Sequence, residues 1–455
     1  MHEEGLQRRL TPRQLTMIAI GSAIGVGLFL GSTVTIRQAG PAVIVTYVMG
    51  ALIALVMAYA LAEMAVVHPL AGSFGVYAER YLSPWFGFVV RATYGFIQML
   101  AIGAEVTAVA IYCGFWFPAA PQWLWVAGAS VGLIAINSAR VSRFGEVEYW
   151  FALVKVVAIL AFIAIGLVLI AGLGPWPAIG FRNLTDLPGG FLPNGWRGVW
   201  LALTLVITSY MGVEVIAVTA GEAEDPQTSI PRAMRTMVLR LIIFYLLAIS
   251  VMVTMTPWNT IGEGGGGVTG SPFVRAFAAV GIPYAAGVMN LVVISAALSS
   301  ANSNLYLTTR MLFSLSRAGY APAWLSVVND AGVPRRAVAV AGAGMGAAIL
   351  LAVYAPGQAF LALYGTAVAG MLFIWMVILF TYLRFRAALT PTQVAQLPIR
   401  MPAHRAAAVF GIVSLAAITA TTFFVDGLRY TVPSFLPFLV VMSVVYARTP
   451  GRSRA

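Results

Sequence analysis

The sequence predicts an all-α polytopic membrane protein. Of its 455 residues, 60% are hydrophobic and only 9% are charged, and the mean hydropathy is +0.89, a balance that typical soluble domains do not have. Apolar runs of about 20 residues recur along the chain, and a helix of that length crosses a bilayer core of roughly 30 Å. The alternating pattern of a membrane β-barrel does not occur.

The apolar runs predict twelve transmembrane helices joined by short loops. The spans lie at about residues 15–37, 41–67, 85–115, 122–138, 146–173, 197–220, 235–256, 283–315, 337–355, 357–384, 406–425 and 430–447. The start of the chain, MHEEGLQRRLTPRQ, is too polar for a cleavable signal peptide, so none is expected.

The arginines indicate how the spans are oriented. Eighteen fall in the two terminal segments and in the loops that follow even-numbered spans: Arg8, Arg9, Arg13, Arg80, Arg140, Arg143, Arg232, Arg235, Arg317, Arg335, Arg336, Arg384, Arg386, Arg400, Arg405, Arg448, Arg452 and Arg454. The opposite loops hold five: Arg37, Arg182, Arg197, Arg275 and Arg429. Because arginine-rich loops stay in the cytoplasm, we expect both termini there. The net charge of +12 then reflects orientation and does not indicate a nucleic-acid partner.

Residue counts argue against an enzyme. The chain has one cysteine, Cys113, and three histidines, His2, His68 and His404, that share no helix face. These residues form no metal-ligand cluster and no nucleophile–histidine–acid set. We therefore expect no metal, no cofactor and no catalytic centre, and twelve spans with both ends inside favour a carrier.

The first span contains an unusual number of glycines. In LTMIAIGSAIGVGLFLGSTVT, Gly21, Gly25, Gly27 and Gly31 are spaced as two small-xxx-small pairs. One interpretation is close packing against a neighbouring helix. The other is an unwound segment at about residues 22–27, whose free N–H and carbonyl groups face a substrate.

The sixth span favours the second interpretation. Gly212 lies at the middle of this span beside Glu214. An ionisable group at that depth costs at least about 2.5 kcal/mol, which makes Glu214 a functional candidate by default. Spans one and six each open a block of five helices, which is the pattern of an inverted-repeat transporter. A broken helix offers N–H groups with roughly half a positive charge at one end and carbonyls at the other. An α-amino acid presents the matching carboxylate and ammonium.

Three segments resemble one known family. GSAIGVGLFLGS at 21–32, GVEVIAVTAGEAEDPQTSIPRA at 212–233 and SSANSNLYLTTRMLFSLSRAGYAP at 299–322 look like the signatures of bacterial amino acid permeases. These belong to the amino acid–polyamine–organocation superfamily, within the amino acid transporter family of γ-aminobutyrate, aromatic and proline permeases. The resemblance implies a leucine-transporter fold in the bacterial inner membrane, with helices one and six discontinuous and proton-coupled amino acid uptake.

The resemblance also implies a division of the chain. Residues 1–13 would form a cytoplasmic tail and 14–385 a transport core, with inverted repeats at about 14–173 and 197–385. Two extra helices would follow at 386–447, and 448–455 would form a second cytoplasmic tail.

The family's substrate site can be placed on matching residues. The N–H groups of Gly25 and Gly27 would bind the substrate carboxylate. Carbonyls of spans one and six would bind the ammonium, and Tyr210 would lie near the substrate or gate beside the break at Gly212. The further site residues are Ser22 and Val26, beside the carboxylate, and Ala23, Ile24, Thr208 and Met211, as carbonyl donors. Some relatives have serine where Val26 stands, so one hydroxyl contact is missing here.

Lys155 is the only lysine, and it lies inside span five. It could snorkel to the membrane surface, although its position some 13 Å into the helix is deep for that. The alternative, which the resemblance supports, is that its ammonium takes the place of a sodium ion. It would then contact a carbonyl near Gly21 or Ser22, and Ser299 or Ser300. Arginine cannot exchange a proton in this way.

Two glutamates leave alternatives open. Glu105 in span three is either a hydrogen-bonded strut between helices or a substrate-side or proton-relay carboxylate. Glu214 in span six is either a strut of the same kind or a carboxylate that takes part in proton coupling or gating. The leading hypothesis is proton symport of a neutral or apolar α-amino acid. The alternatives are an amino acid or polyamine exchanger and a membrane amino acid sensor.

Overall fold

The computed structural model describes residues 17, 25, 27–70, 72–139, 141–173, 177–219, 225–261, 273, 284–354, 359–424 and 428–449. Within these residues the chain forms helices and no strand. Five residues predicted for the substrate or lysine site lie outside them: Gly21, Ser22, Ala23, Ile24 and Val26.

Six α-helices form the first part of the chain. They are α1 (Ser32–Ala39), which follows a π-helical turn at Gly27–Gly31, α2 (Val43–Val67), α3 (Ser73–Tyr81), α4 (Pro84–Cys113), α5 (Gln122–Asn137) and α6 (Val141–Ala171).

Twelve further α-helices follow. They are α7 (Arg182–Thr185), α8 (Gly195–Ser209), α9 (Val215–Thr219), α10 (Pro226–Arg240), α11 (Ala248–Met255), α12 (Ala285–Arg317), α13 (Arg335–Ala341), α14 (Ala343–Tyr354), α15 (Ala359–Ala388), α16 (Pro391–Ala395), α17 (His404–Thr421) and α18 (Thr431–Arg448). A π-helical segment, Leu241–Leu247, joins α10 to α11.

The helices are suited to a bilayer. Among the described residues, nine helical stretches are long and apolar enough to cross a membrane, and α5 is a shorter apolar helix. Large apolar side chains such as Val131, Leu350 and Val440 lie exposed on the outer surface, where lipid would cover them. The protein is therefore a multi-pass membrane protein, and the count of twelve spans stays a prediction.

Local sequence explains where two of these helices begin. Ser83 caps α4 by accepting a hydrogen bond from the N–H of Phe86, and Pro84 fills the first helical position, which needs no N–H donor. Asp225 caps α10 in the same way, with Pro226 next to it. A hydrogen bond from the Thr228 hydroxyl lowers the pKa of the Asp225 carboxyl group.

Helix α12 lies at the centre of the fold, where it packs along α4 on one side and α6 on another. Its polar stretch SSANSN, residues 299–304, is largely buried. Because buried polar groups need hydrogen-bond partners, the contacts of this stretch define the candidate site.

Candidate functional site

The sixth predicted span is interrupted at the glycine. Helix α8 ends at Ser209 and α9 begins at Val215, and the five residues between them are not helical. Gly212 has φ +97°, a conformation open to glycine and strained for other residues. Its N–H donates to both carboxylate oxygens of Glu214, at 3.1 and 3.0 Å. The carboxylate therefore binds the interrupted backbone itself.

A series of hydrogen-bonded side chains connects Glu214 to α4 and α12. The hydroxyl of Tyr94 donates to the buried Glu214 carboxylate at 3.3 Å. The amide of Gln98 donates to Tyr94 Oη at 3.0 Å and to Asn304 Oδ1 at 3.2 Å. These hydrogen bonds therefore connect the break in span six to two long helices, α4 and α12.

Gly25 is in close contact with α4 and α12. A Cβ atom at this position would lie 2.9 Å from Ser300 Oγ and 3.0 Å from Glu105 Oε1, closer than carbon normally approaches oxygen. Ser300 Oγ in turn donates to Glu105 Oε1 at 2.9 Å. The glycine therefore lets the backbone of span one approach a buried carboxyl group, and Gly27 begins the π-helical turn that follows.

Lys155 is fully buried, and its ammonium donates to Ser299 Oγ at 2.7 Å. Of the two serines predicted as lysine partners, the structure brings Ser299 to Lys155 and Ser300 to Glu105. The carbonyl contact predicted near Gly21 lies outside the described residues. A lysine held this way on α6 does not reach the membrane surface by snorkelling.

The sequence reasoning missed Glu148, which lies two helical turns before Lys155 on α6. Glu148 is fully buried. It accepts hydrogen bonds from Ser299 and, at 3.1 Å, from Asn302. Asn302 Oδ1 accepts from Asn137 at 2.7 Å. The seven-residue spacing could have placed Glu148 and Lys155 on one helix face.

Three arginines inside the helices were also missed. Arg91, Arg240 and Arg310 are each buried among the described residues. Arg91 pairs with Glu79, and Arg310 lies over the Tyr306 ring at 4.4 Å. Arg240, at the end of α10, is within electrostatic range of Glu214 and of Lys155.

The residues predicted on span six before the break have other contacts. Tyr210 Oη donates to the Tyr47 carbonyl at 2.8 Å, and its ring packs against Gly50 of α2. The carbonyl of Thr208 accepts from the Met211 N–H at 3.2 Å. These contacts lie within span six and with α2, and the part of the three residues in substrate binding stays a prediction.

The geometry thus consists of an interrupted helix, a glycine in contact with a carboxyl group, and a buried lysine with hydroxyl and carboxylate partners. In the described residues, no group of three or more His, Cys, Asp or Glu residues could hold a metal ion. The family model described as "Amino acid permease" matches residues 14–446. The chain belongs to the amino acid permease family.

The permease has relatives that match over nearly its whole length. It is 39% identical to the uncharacterized amino acid permease YtnA of Bacillus subtilis, over 98% of the chain and 96% of the relative. It is 36% identical to the γ-aminobutyric acid permease of the same organism, over 94% and 90%. It is also 36% identical to the aromatic amino acid transport protein AroP of Salmonella typhimurium, over 98% and 96%.

Proposed function

We propose that this permease imports an α-amino acid across the bacterial inner membrane by proton symport, with both termini in the cytoplasm. Membership of the family supports amino acid transport. The observation that carries proton coupling is the fully buried Lys155, which donates to Ser299 Oγ at 2.7 Å. Burial disfavours the charged form of a lysine side chain, so a buried lysine can release a proton that an arginine would keep.

The proposed substrate site lies at the interruption of span six and at a second interruption that we propose for span one. N–H groups at Gly25 and Gly27 bind the carboxylate, and carbonyls of Ala23, Ile24, Thr208 and Met211 surround the ammonium. Glu105, which contacts Gly25, adds a negative charge beside the ammonium. Ser22, Val26 and Tyr210 complete the proposed lining. The close approach of Gly25 to Glu105 and Ser300 supports this arrangement.

The proposed transport cycle follows the charge on Lys155. The protonated ammonium holds span one against α12 while the site is open to the outside. Substrate binding closes that side, and the loaded site opens inward with the proton still on Lys155. The substrate leaves, and loss of the proton to the cytoplasm releases the contact with Ser299. Once the proton has left, span one loses its anchor and the empty carrier returns outward. The two five-helix blocks at 14–173 and 197–385 would move against each other, while 386–447 remains outside the repeats.

The substrate is proposed to be neutral or apolar. Ala23, Val26 and Met211 would give the region around the substrate side chain an apolar character. Two relatives are described as carriers of aromatic amino acids and of γ-aminobutyric acid. A thermal-shift panel of the twenty common L-amino acids and γ-aminobutyric acid would identify the ligand, because binding raises the melting temperature in proportion to affinity.

The transport hypothesis is tested with purified permease in proteoliposomes. Uptake of each panel compound is measured with an inward proton gradient, with no gradient, and with unlabelled compound inside. Symport predicts accumulation only with the gradient. If uptake needs internal substrate and ignores pH, the permease is an exchanger. Tight binding with no uptake under any condition would indicate a sensor.

Lys155→Ala is the decisive variant. It should bind substrate and exchange it, yet lose accumulation driven by the proton gradient at least tenfold. Glu146→Gln serves as the control on the same helix, since Glu146 is exposed. Normal gradient-driven accumulation by Lys155→Ala would exclude the lysine mechanism and leave amino acid transport itself intact.

A further inference from the structure

We propose that Glu148 is the group that takes the proton from Lys155 when the lysine is discharged towards the arginine-rich end of the bundle. The inference rests on the proposed proton symport. Glu148 is fully buried on α6, two turns from Lys155 towards the start of the helix at Val141. Its carboxylate and the Lys155 ammonium share one hydroxyl, that of Ser299.

The three groups form a continuous relay. Lys155 Nζ donates to Ser299 Oγ at 2.7 Å, and Ser299 Oγ donates to Glu148 Oε1. A hydroxyl accepts one proton as it gives up another. The ammonium can therefore pass a proton to Ser299 Oγ while the serine proton moves to the Glu148 carboxylate. The lysine becomes a neutral amine, the glutamate a neutral acid, and the serine is unchanged.

Two amide side chains extend the hydrogen-bond network beyond Glu148, where they position the carboxylate without carrying a proton themselves. Asn302 donates to Glu148 Oε2 at 3.1 Å, and Asn137, the last residue of α5, donates to Asn302 at 2.7 Å. A small cavity with room for about one water molecule adjoins Asn137. This cavity is lined by Asn137, Phe144, Tyr306, Thr309, Arg310, Val333 and Val338. It lies near the start of α6 and the start of α13, where Arg143 and Arg335 are exposed.

The neighbouring charges favour Glu148 over the other carboxyl groups. Glu105 also lies within electrostatic range of Lys155, but it accepts from Ser300 and contacts Gly25, so it belongs to the substrate side. Glu214 binds the backbone of Gly212. Arg240 on α10 adds a positive charge within electrostatic range of Lys155.

The experiment separates proton release from substrate translocation. Proteoliposomes that contain pyranine are given an external mixture of the twenty common L-amino acids and γ-aminobutyric acid, and internal acidification is recorded. Exchange is measured in parallel, with a tritiated form of the same mixture outside and the unlabelled mixture inside. Exchange needs no proton release, because the loaded carrier returns without discharging Lys155.

The variants are Glu148→Gln, Glu148→Asp and, as a matched control, Glu146→Gln. Glutamine keeps the shape and the acceptor oxygen but cannot take a proton. We expect Glu148→Gln to acidify the lumen at least tenfold more slowly than wild type while exchange stays within twofold. Glu148→Asp should recover part of the proton flux. Glu146, which is exposed and accepts from Trp150 Nε1 at 3.1 Å, should tolerate the change.

The outcomes are distinguishable. If wild type exchanges amino acids without acidification, the proton symport proposal fails. If wild type acidifies and Glu148→Gln acidifies equally fast, the assignment of Glu148 fails and symport stands. If Glu148→Gln loses exchange as well and Glu148→Asp restores neither activity, the residue is structural and the relay is also rejected.

Discussion

The N–H of Gly212 donates to both carboxylate oxygens of Glu214, two residues further along the interrupted backbone. This contact satisfies a donor that would be unpaired between α8 and α9, and backbone groups without partners are costly inside a membrane. It also places a carboxylate at the point where span six must bend. The interruption of span six therefore has a hydrogen bond of its own that stabilises it.

Gly212→Ala should disrupt that feature. At φ +97° an alanine Cβ is strained, at a cost of about 1–2 kcal/mol, so the segment should shift and the Glu214 contact weaken. We expect a lower melting temperature and at least tenfold weaker binding of the amino acid found in the thermal-shift panel. Gly128→Ala is the control, because a Cβ there meets nothing within 4 Å. Equal behaviour of the two variants would contradict the role assigned to the break.

Gly25→Ala and Gly25→Leu test the contact between span one, α4 and α12. Even the alanine Cβ would lie 2.9 Å from Ser300 Oγ, so Ser300 or Glu105 must move, and leucine would fill the proposed carboxylate site. We expect weaker binding for alanine and no detectable binding for leucine in a scintillation proximity assay with the tritiated substrate.

Gly31→Ala provides the comparison for both Gly25 variants. Gly31 ends the π-helical turn in the same span, and a Cβ there meets nothing within 4 Å. The Gly31→Ala variant should bind substrate as wild type does. Normal binding by Gly25→Leu would remove Gly25 from the substrate site, whereas loss of binding by Gly31→Ala would point to general disruption of the span.

Local patterns predicted part of this site. A glycine in mid-span and the only lysine in the chain are visible in the sequence alone, and the structure has an interruption at Gly212 and a buried Lys155. The multi-pass helical architecture could also be predicted from hydropathy, because the bilayer sets the length of each apolar run.

The partners of these residues could not be predicted in the same way. Glu148 was overlooked because its role depends on which face of α6 packs against α12. The rotation of a helix about its axis is set by packing between segments that are distant in sequence, so the sequence of α6 alone does not reveal it. Arg240 was overlooked because it lies inside an apolar run whose far neighbours, Glu214 and Lys155, come from other helices. Tyr210 was placed near the substrate or gate, and the contact of its hydroxyl with α2 was not predicted.

Glu63 provides a prediction about stability away from the substrate. It is fully buried on α2 and accepts from Tyr382 Oη at 3.0 Å and from the Met401 N–H. Arg386 Nη1 lies 3.2 Å from its other carboxylate oxygen. One carboxylate therefore connects α2 to α15 and to the segment before α17.

Glu63→Gln should leave the Arg386 guanidinium, which is nearly buried, without its counter-charge. Loss of one partner of a buried ion pair costs on the order of 3–5 kcal/mol, so we expect a clear drop in melting temperature in detergent. Arg384→Gln is the control, since Arg384 is exposed two residues away. A melting temperature for Glu63→Gln equal to that of the control would show that the contact does not stabilise the fold.

His68 gives a prediction about pH. It follows α2, its Nε2 lies 2.7 Å from Tyr81 Oη, and the Arg80 guanidinium approaches its Nδ1 at 3.5 Å. Burial, and secondarily the charge of Arg80, lowers the pKa of the His68 imidazole from 6.5 to about 4. The folded protein therefore keeps His68 neutral at a pH where the unfolded chain has already bound a proton.

The sign of the effect follows from proton linkage. Between about pH 6.5 and pH 4 the unfolded state holds more protons at this site, so the free energy of unfolding falls as the pH is lowered. Wild type and His68→Gln are compared by melting temperature in detergent from pH 7.5 to 4.5. Other groups also titrate in this range, so the difference between the two curves is the measure. We expect wild type to lose its advantage as the pH falls, and Arg80→Gln to reduce that loss by raising the pKa of His68. Parallel curves for wild type and His68→Gln would mean that the imidazole has the same proton affinity in both states.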